Sequence, residues 1–229
     1  MSKNTIKHFG VIVQQSKYGF KLERSKYAEI SKMSSFKSRL MGLEGSYEDE
    51  EGRYYTDEWC TAYREKCLKN FDLNMKLFES LDHDIFNKEI DDFLEKHKQF
   101  QIVEDLTFFD KIPGYYMMVI DEYSQVYIGT SQDIKKRIQQ HWSKIKPFDR
   151  LLFPISAVDS SVLSIDCFRA LDTSRVYAYP TSDLYEKEND YINYFSSEFN
   201  SNRVCGGILL NDPSEALKML ASIKSRRFD

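Results

Sequence analysis

Six polar side chains in the second half of the sequence have residue types that suit phosphate chemistry. They are Tyr116, Tyr127, Arg137, His141, Glu188 and Asn200. An arginine offers a planar, permanently charged fork for phosphate oxygens, and a carboxylate is a suitable ligand for a hard divalent cation. A histidine, or a tyrosine with a lowered pKa, can accept a proton from an attacking water. This combination is suited to hydrolysing a phosphodiester.

Each of these side chains also has an ordinary structural explanation. Tyrosines are common in strands, Arg137 and Glu188 could form a surface ion pair, and His141 could be a core histidine. Asn200 could be a turn residue. Only the joint spacing of the set favours a shared role.

The surrounding sequence predicts the elements that would position these side chains. Residues 115–120 and 125–128 predict two strands joined by a polar turn over residues 121–124. A helix is predicted over residues 133–141. Because Arg137 and His141 are four residues apart, they would lie on one face of that helix.

The long interval between His141 and Glu188 predicts one more strand and an insertion. Strand-like runs occur at residues 151–153, 162–165 and 175–179. We expect one of them to be the third strand of the sheet. The run at 175–179 is our candidate because it lies nearest to Glu188 in sequence.

The first forty residues predict a β-hairpin followed by a basic helix. The hairpin would pair residues 8–13 with residues 18–22 around a polar turn at 14–17. The helix would run from Ser25 to about Leu40.

Residues 44–57 form an acidic segment, and two amphipathic helices are predicted after it. The first spans about residues 57–81, and the second spans about 84–97. The second is expected to bury Ile85, Ile90, Phe93 and Leu94. We expect no catalytic residue before position 105. A further helix is predicted over residues 213–223.

The spacing of the candidate residues resembles that of the GIY-YIG endonucleases. Gly114-Tyr115-Tyr116 and, after ten intervening residues, Tyr127-Ile128-Gly129 correspond to the two motifs that name the family. The family has an arginine eight residues after the second motif, a His or Tyr four residues further, then a helical glutamate and an asparagine twelve residues after it. The matching residues here are Arg137, His141, Glu188 and Asn200. The resemblance covers about residues 111–202.

The resemblance implies a role for each residue of the set. Glu188 would hold Mg²⁺ or Mn²⁺, with water and phosphate oxygens completing the coordination. Arg137 would bind a nonbridging phosphate oxygen. Either His141 or Tyr127 would take the proton from the attacking water, and an unperturbed tyrosine, with a pKa near 10, is the weaker base at neutral pH. Tyr116 would orient the nucleophile.

Nucleic-acid contacts are expected near the second motif and in the basic N-terminal region. Gly129 would let the backbone approach the substrate closely. Thr130 stands where some family members have lysine, so the phosphate contact of that lysine is either missing here or comes from Lys135 or Lys136. Ser197 stands where many members have a proline, and Tyr115 replaces the isoleucine of the name. The candidate basic contacts are Lys32, Lys37, Arg39, Lys135 and Lys136.

The charge is distributed unevenly along the chain. The formal net charge is −4. Residues 1–40 carry nine Lys and Arg against two Asp and Glu, residues 41–110 carry eight against nineteen, and residues 111–229 carry fifteen of each. Since phosphate binding needs a local basic patch, the acidic middle is compatible with DNA binding but argues against a broad polyanion-binding surface.

The sequence predicts an α+β fold with a small mixed or antiparallel sheet flanked by helices, preceded by a β-hairpin and a helical N-terminal region. Two parts are expected: residues 1–105, for recognition or interaction, and residues 106–229, for the nuclease. The absence of an apolar run of about 20 residues or an N-terminal signal core predicts a cytoplasmic protein without a membrane span. The four cysteines are expected to be reduced structural thiols.

The predicted function is metal-dependent endonucleolytic cleavage of DNA. Because only about thirty residues follow Asn200, a restriction, phage-encoded or defence nuclease is favoured over a homing enzyme. A homodimer is one way in which the protein could cut both strands. One alternative is a non-catalytic nucleic-acid-binding or protein-interaction module that keeps the fold. Another is an inhibitor or adaptor whose acidic residues 44–58 mimic DNA.

Overall fold

The structure is a computed structural model that describes residues 4–15, 19–35, 53, 55–152 and 158–202. Several predictions concern residues outside these ranges: the helix over residues 213–223, most of the acidic segment, and the basic residues Lys37 and Arg39.

The chain forms two compact units. The described residues of the first unit lie within 1–23, 75–145 and 165–202, and those of the second lie within 24–74 and 146–164. We predicted a domain boundary between residues 105 and 106, and this position lies inside the first unit. All six candidate catalytic residues belong to this unit.

The chain begins with the predicted hairpin, but its turn lies elsewhere. Strand β1 (Thr5–His8) pairs with β2 (Val11–Gln14), and His8 lies opposite Val11. The two residues between the strands, Phe9 and Gly10, have φ angles of 44° and 75°. Positive φ at both positions is characteristic of a type I′ turn. The predicted turn over residues 14–17 is therefore wrong, because the mainly apolar run of residues 8–13 concealed the reversal.

The predicted continuous basic helix is also wrong in its described part. A one-turn helix α1 (Arg24–Tyr27) is followed by a separate 3-10 helix, Lys32–Ser35. The Ser31 N–H donates a hydrogen bond to the Ser34 hydroxyl at 3.0 Å. Such serine contacts to nearby backbone compete with a regular helix.

The two amphipathic helices are confirmed as α2 (Asp57–Ser80) and α3 (His83–Lys96). Helix α3 begins where the Asp82 carboxylate accepts hydrogen bonds from two N–H groups of the first turn. It buries Phe86, Ile90 and Phe93, whereas Ile85 is 51% exposed, contrary to the prediction. Phe86 precedes Ile90 by four residues and so lies on the same face, which Ile85 does not.

The second unit has its own small apolar core. Tyr63, Cys67 and Leu68 of α2 are buried and cluster with Ala28, Leu151 and Leu152. Residues 151–152 are not a strand, and the run at 162–165 leads from irregular chain into a 3-10 helix, Ile165–Cys167. The described cysteines, Cys60, Cys67 and Cys167, are buried thiols, as expected.

The first unit contains an antiparallel sheet of four strands in the order β3-β6-β4-β5. The strands are β3 (Gln101–Ile102), β4 (Gly114–Ile120), β5 (Gln125–Ser131) and β6 (Arg175–Pro180). The predicted hairpin is confirmed as β4 and β5, and the candidate third strand is confirmed as β6. The sequence did not predict β3, which has only two residues.

The side chains of the central strand β4 are buried on both faces of the sheet. Tyr115, Met117 and Val119 belong to the apolar core, together with residues of α3 and of the short helix α5 (Glu188–Ile192). Because side chains alternate along a strand, Tyr116 points to the opposite face. Helix α4 (Ile134–Ser143) contacts β4 and β5.

The backbone N–H groups at the outer edge of β5 form hydrogen bonds with groups from elsewhere in the unit. The N–H groups of Val126, Ile128 and Thr130 donate to Phe199 O, Asn202 Oδ1 and Glu188 Oε1 at 2.7, 2.7 and 3.1 Å. These are alternate residues, and alternate N–H groups of an edge strand point away from the sheet. The fold is thus α+β with antiparallel sheets. Among the described helices, none combines the length and apolar character needed to cross a bilayer.

Candidate active site

The hairpin β4–β5 brings the two motif tyrosines together. Tyr116 lies opposite Gly129 in the register, and the rings of Tyr116 and Tyr127 are 6.2 Å apart. A Cβ atom added to Gly129 would lie only 2.4 Å from the Tyr116 hydroxyl oxygen. Glycine is therefore required here because the Tyr116 ring crosses directly over the Gly129 backbone.

Helix α4 places Arg137 and His141 against these tyrosines. The Asp133 carboxylate caps the helix by accepting a hydrogen bond from the Lys136 N–H, and Ile134 and Ile138 anchor its buried face. The His141 Nε2 atom lies 2.9 Å from the Tyr116 hydroxyl oxygen. The histidine is 3% exposed, so its ring is inside the unit and not at the surface.

Asp166 contacts His141 of this site, and sequence reasoning missed it. Its Oδ1 lies 3.0 Å from His141 Nδ1, and its Oδ2 pairs with the Lys144 ammonium at 2.7 Å. The residue comes from the 3-10 helix Ile165–Cys167, inside the segment taken for an insertion. The available sequence signal was a carboxylate between two apolar residues, Ile165 and Cys167.

The protonation states of this pair follow from their surroundings. Burial lowers the pKa of His141, against the opposing effect of Asp166, so the imidazole is neutral at neutral pH. Burial alone would raise the pKa of Asp166, but hydrogen bonds from His141 and Lys144 outweigh it and lower the pKa to about 2. The carboxylate is therefore ionised and can only accept hydrogen bonds.

Glu188 reaches the same region from the first turn of α5. Its Oε1 accepts a hydrogen bond from the Thr130 N–H at 3.1 Å. The Tyr115 hydroxyl accepts a hydrogen bond from the Lys187 N–H at 3.2 Å, which fixes the start of the helix. Burial raises the pKa of Glu188, while the Thr130 N–H and the Arg137 charge act in the opposite direction.

Arg137 connects the members of the site electrostatically. Its guanidinium acts on the hydroxyls of Tyr116 and Tyr127 and on the Glu188 carboxylate. Burial raises the pKa of both tyrosines, and the raised Tyr116 pKa is further increased by Tyr127, whereas Arg137 opposes the shift in each case. Both tyrosines are therefore neutral at neutral pH.

The polar cluster, as we call this group, has a front layer and a back layer. Its members are Tyr116, Tyr127, Arg137, His141 and Glu188. Tyr127, Arg137 and Glu188 are partly exposed, whereas Tyr116 and His141 are buried. A substrate would therefore meet the first three side chains, with the other two behind them.

The donor set of the polar cluster fits a cation that keeps most of its water. Among the described residues, no group of three or more His, Cys, Asp and Glu is placed to enclose a metal ion. Glu188 supplies one half-buried carboxylate, and Oε1 is its only atom with a hydrogen bond from a described residue. Mg²⁺ is commonly bound by one or two carboxylates together with water and phosphate oxygens.

Asn200 is not brought into the polar cluster. It is buried, its Nδ2 donates to Ile192 O at 2.8 Å, and its Oδ1 accepts a hydrogen bond from the Asn202 N–H at 2.8 Å. It therefore ties the end of α5 to the segment along β5.

The predicted nucleic-acid contacts have different environments. Lys135 forms an ion pair with Asp110 at 2.9 Å and its side chain is 25% exposed, whereas Lys136 is exposed. Lys32 is exposed in the second unit. Gly129 serves the packing of Tyr116, as its contact with that ring shows.

Comparisons of the chain with protein-family models, with curated proteins and with solved structures found no match. The function of the polar cluster therefore has to be argued from its residues and their geometry.

Proposed function

We propose that the protein is a divalent-metal-dependent endonuclease that hydrolyses phosphodiester bonds of DNA with chemistry of the GIY-YIG type. The observation that carries this proposal is the meeting of five side chains from β4, β5, α4 and α5 in the polar cluster. These residues are spread over more than seventy positions of the sequence. Separate structural roles give no reason for all five to meet around strand β5.

The front layer is suited to binding a phosphodiester. The Arg137 guanidinium would bind nonbridging phosphate oxygens and offset the charge that develops on them during attack. The Glu188 carboxylate would hold Mg²⁺ or Mn²⁺ beside the same phosphate. When bound, the cation would neutralise charge on the phosphate and on the leaving oxygen.

The remaining requirement is a group that removes a proton from the attacking water. Tyr127 reaches the front of the cluster, and the neutral imidazole of His141 lies behind it with its ring centroid 4.8 Å from that of Tyr127. A neutral histidine has a basicity suited to proton transfer near neutral pH. Both residues proposed from the sequence thus remain available for the proton transfer.

The decisive test compares Glu188→Gln with the wild type. A glutamine can still accept the hydrogen bond from the Thr130 N–H but cannot hold a divalent cation as a carboxylate does. We expect cleavage of plasmid DNA in Mg²⁺ or Mn²⁺ to fall by at least about 100-fold, with the unfolding midpoint nearly unchanged. Single-stranded DNA and RNA, each with and without EDTA, complete the assay.

The matched control is Glu186→Gln, which removes an exposed carboxylate two residues away. Glu186 lies before α5, which begins at Glu188, and its side chain is exposed, whereas that of Glu188 is half-buried. Full activity of Glu188→Gln would refute the metal assignment. Metal-independent binding of DNA without any cleavage by the wild type would favour the alternative, a non-catalytic nucleic-acid-binding module.

A further inference from the structure

Each ring nitrogen of His141 faces a different kind of hydrogen-bonding group: a carboxylate, which only accepts, and a hydroxyl, which can donate. Nδ1 lies 3.0 Å from a carboxylate oxygen of Asp166, and Nε2 lies 2.9 Å from the Tyr116 hydroxyl oxygen. Because an ionised carboxylate only accepts hydrogen bonds, the proton of the neutral imidazole must be on Nδ1. The lone pair on Nε2 is then free to accept the Tyr116 hydroxyl proton.

The surroundings hold this arrangement in place. Tyr116 and His141 are buried, and the Asp166 side chain is 16% exposed. The second carboxylate oxygen of Asp166 is held by the Lys144 ammonium at 2.7 Å. The carboxylate therefore has both oxygens engaged and presents a fixed acceptor to the histidine.

We propose that Asp166 is a positioning residue that makes His141 the final proton acceptor of a chain running from Tyr127 through Tyr116. This inference rests on the proposed nuclease function and assigns the base of that reaction. Tyr127 is the member that touches the nucleophile, because it is the partly exposed one, and its ring centroid lies 6.2 Å from that of Tyr116 and 4.8 Å from that of His141.

Each proton that moves in this chain has a defined acceptor. The water oxygen forms a bond to phosphorus while the bond from phosphorus to the leaving oxygen breaks. One water proton passes to the Tyr127 oxygen, the Tyr127 proton passes to Tyr116, and the Tyr116 proton passes to His141 Nε2. The leaving oxygen takes a proton from solvent. The imidazolium forms beside the Asp166 carboxylate, which stabilises its charge, and later returns its proton to solvent.

The charged groups acting on His141 determine the expected pH dependence. Asp166 favours the protonated imidazole, whereas Arg137 and Lys144 disfavour it. Tyr116 and Tyr127 are the neutral neighbours from the sheet. The buried Asp172, on the adjacent 3-10 helix Ala170–Asp172, accepts hydrogen bonds from the backbone N–H groups of Leu22 and Arg169.

The principal experiment is Asp166→Asn, measured as kcat and KM against pH. We expect kcat to fall on the order of 100-fold, with a much smaller change in KM. The acidic limb of the kcat profile should move to lower pH, because removing the carboxylate charge lowers the pKa of His141 further. Lys144→Gln should move the same limb to higher pH, because it removes a positive charge. The control is Asp159→Asn, which changes an exposed carboxylate in the second unit. It should leave kcat and the acidic limb unchanged.

A second measurement does not depend on activity. ¹⁵N NMR of His141 in the wild type, without DNA or metal, should show the tautomer with the proton on Nδ1, and Asp166→Asn should reduce its population. If the wild type cleaves DNA but Asp166→Asn leaves kcat, the acidic limb and the tautomer unchanged, this inference is overturned and the proposed function stands. A wild type inactive on every substrate would overturn the proposed function, and the proton chain with it. If Asp166→Asn fails to fold, the inference is tested by the other two measurements. An unshifted acidic limb in Lys144→Gln together with a wild-type proton on Nε2 would then overturn it.

Discussion

Gly129 shows at the scale of a single residue how the hairpin and the polar cluster depend on each other. In Gly129→Ala, the new methyl group would lie within 2.4 to 3.1 Å of three Tyr116 ring and hydroxyl atoms. The tyrosine must move, which breaks its hydrogen bond to His141. We expect a loss of about 1–3 kcal/mol in the free energy of unfolding, as is typical of overpacking, and a large fall in kcat.

Urea denaturation and plasmid cleavage measure the two effects of this substitution. Thr130→Ala, at the next position of β5, keeps the N–H group that binds Glu188 and adds no volume. It should retain both stability and activity. Wild-type activity in Gly129→Ala would mean that the position of the Tyr116 hydroxyl is unimportant for cleavage.

Residue spacing predicted much of the polar cluster but not all of its surroundings. The GIY-YIG resemblance selected the residues, and local periodicity was sufficient to place Tyr116 and Tyr127 on one hairpin and Arg137 and His141 on one helix face. Asp166 reaches His141 from a short 3-10 helix without a regular period. Its contact depends on tertiary packing, which a spacing rule does not contain.

At the scale of elements, Tyr115 holds the helix that carries Glu188. Its ring is buried against Tyr191 at 5.2 Å, and its hydroxyl accepts the hydrogen bond from the Lys187 N–H. Tyr115→Phe should cost about 1 kcal/mol in the free energy of unfolding, the usual contribution of one hydrogen bond. It should also weaken Mg²⁺ binding by loosening Glu188, measured as a higher Mg²⁺ concentration for half-maximal cleavage.

The control for this substitution is Tyr179→Phe. Tyr179 is stacked against Tyr115 with ring centroids 6.0 Å apart, and it lies on the same face of the sheet. Equal effects of the two variants on the Mg²⁺ requirement would assign the change to general packing and not to the support of α5.

A second element-scale prediction concerns Asp172, which joins residue Leu22 to the 3-10 helix Ala170–Asp172. Burial raises the pKa of this carboxyl to about 6, despite hydrogen bonds from two backbone N–H groups. A raised folded-state pKa stabilises the protein at low pH, and the effect is lost as pH rises from about 4 through 6. The shift corresponds to about 3 kcal/mol.

Asp172→Asn should therefore remove a fall in stability between pH 4 and pH 7 that the wild type has. Urea denaturation of both proteins across this range isolates the contribution of Asp172, because all other titrating groups are shared. The exposed Asp183→Asn serves as the control. Parallel stability curves for the wild type and Asp172→Asn would contradict the prediction.

Long elements with a clear period were predicted correctly, whereas short ones were not. Helices α2 and α3 carry apolar stripes over several turns, so their existence was evident from the sequence. The Phe9-Gly10 turn, the single turn α1 and the two-residue strand β3 are too short to produce a periodic signal. Their formation depends on backbone torsions and on pairing with distant residues.

At the scale of the whole molecule, the concentration of positive charge in residues 1–40 predicts a salt-dependent contact with DNA. Replacing Lys32, Lys37 and Arg39 with glutamine should weaken binding. The slope of log affinity against log salt should become less steep by about 0.9 for each phosphate that the protein no longer neutralises. Cleavage should recover at high enzyme concentration, because the polar cluster is unchanged.

Lys66, Lys69 and Lys76 of α2 provide a control triple with the same change in net charge. Their replacement by glutamine should leave the salt slope nearly unchanged. Similar slopes for the two triple variants would mean that only the total charge matters, and the N-terminal region would then have no specific role in DNA binding.

The hydrogen bonds along the outer edge of β5 have a consequence for association between chains. An edge strand with free N–H groups is a template for strands of other molecules. Here Phe199, Asn202 and Glu188 occupy the outward N–H groups of alternate residues. At the opposite edge, β3 offers only two residues. The sheet is thus protected against extension into intermolecular β-aggregates, and one of the groups that protects it is the carboxylate proposed to hold the metal.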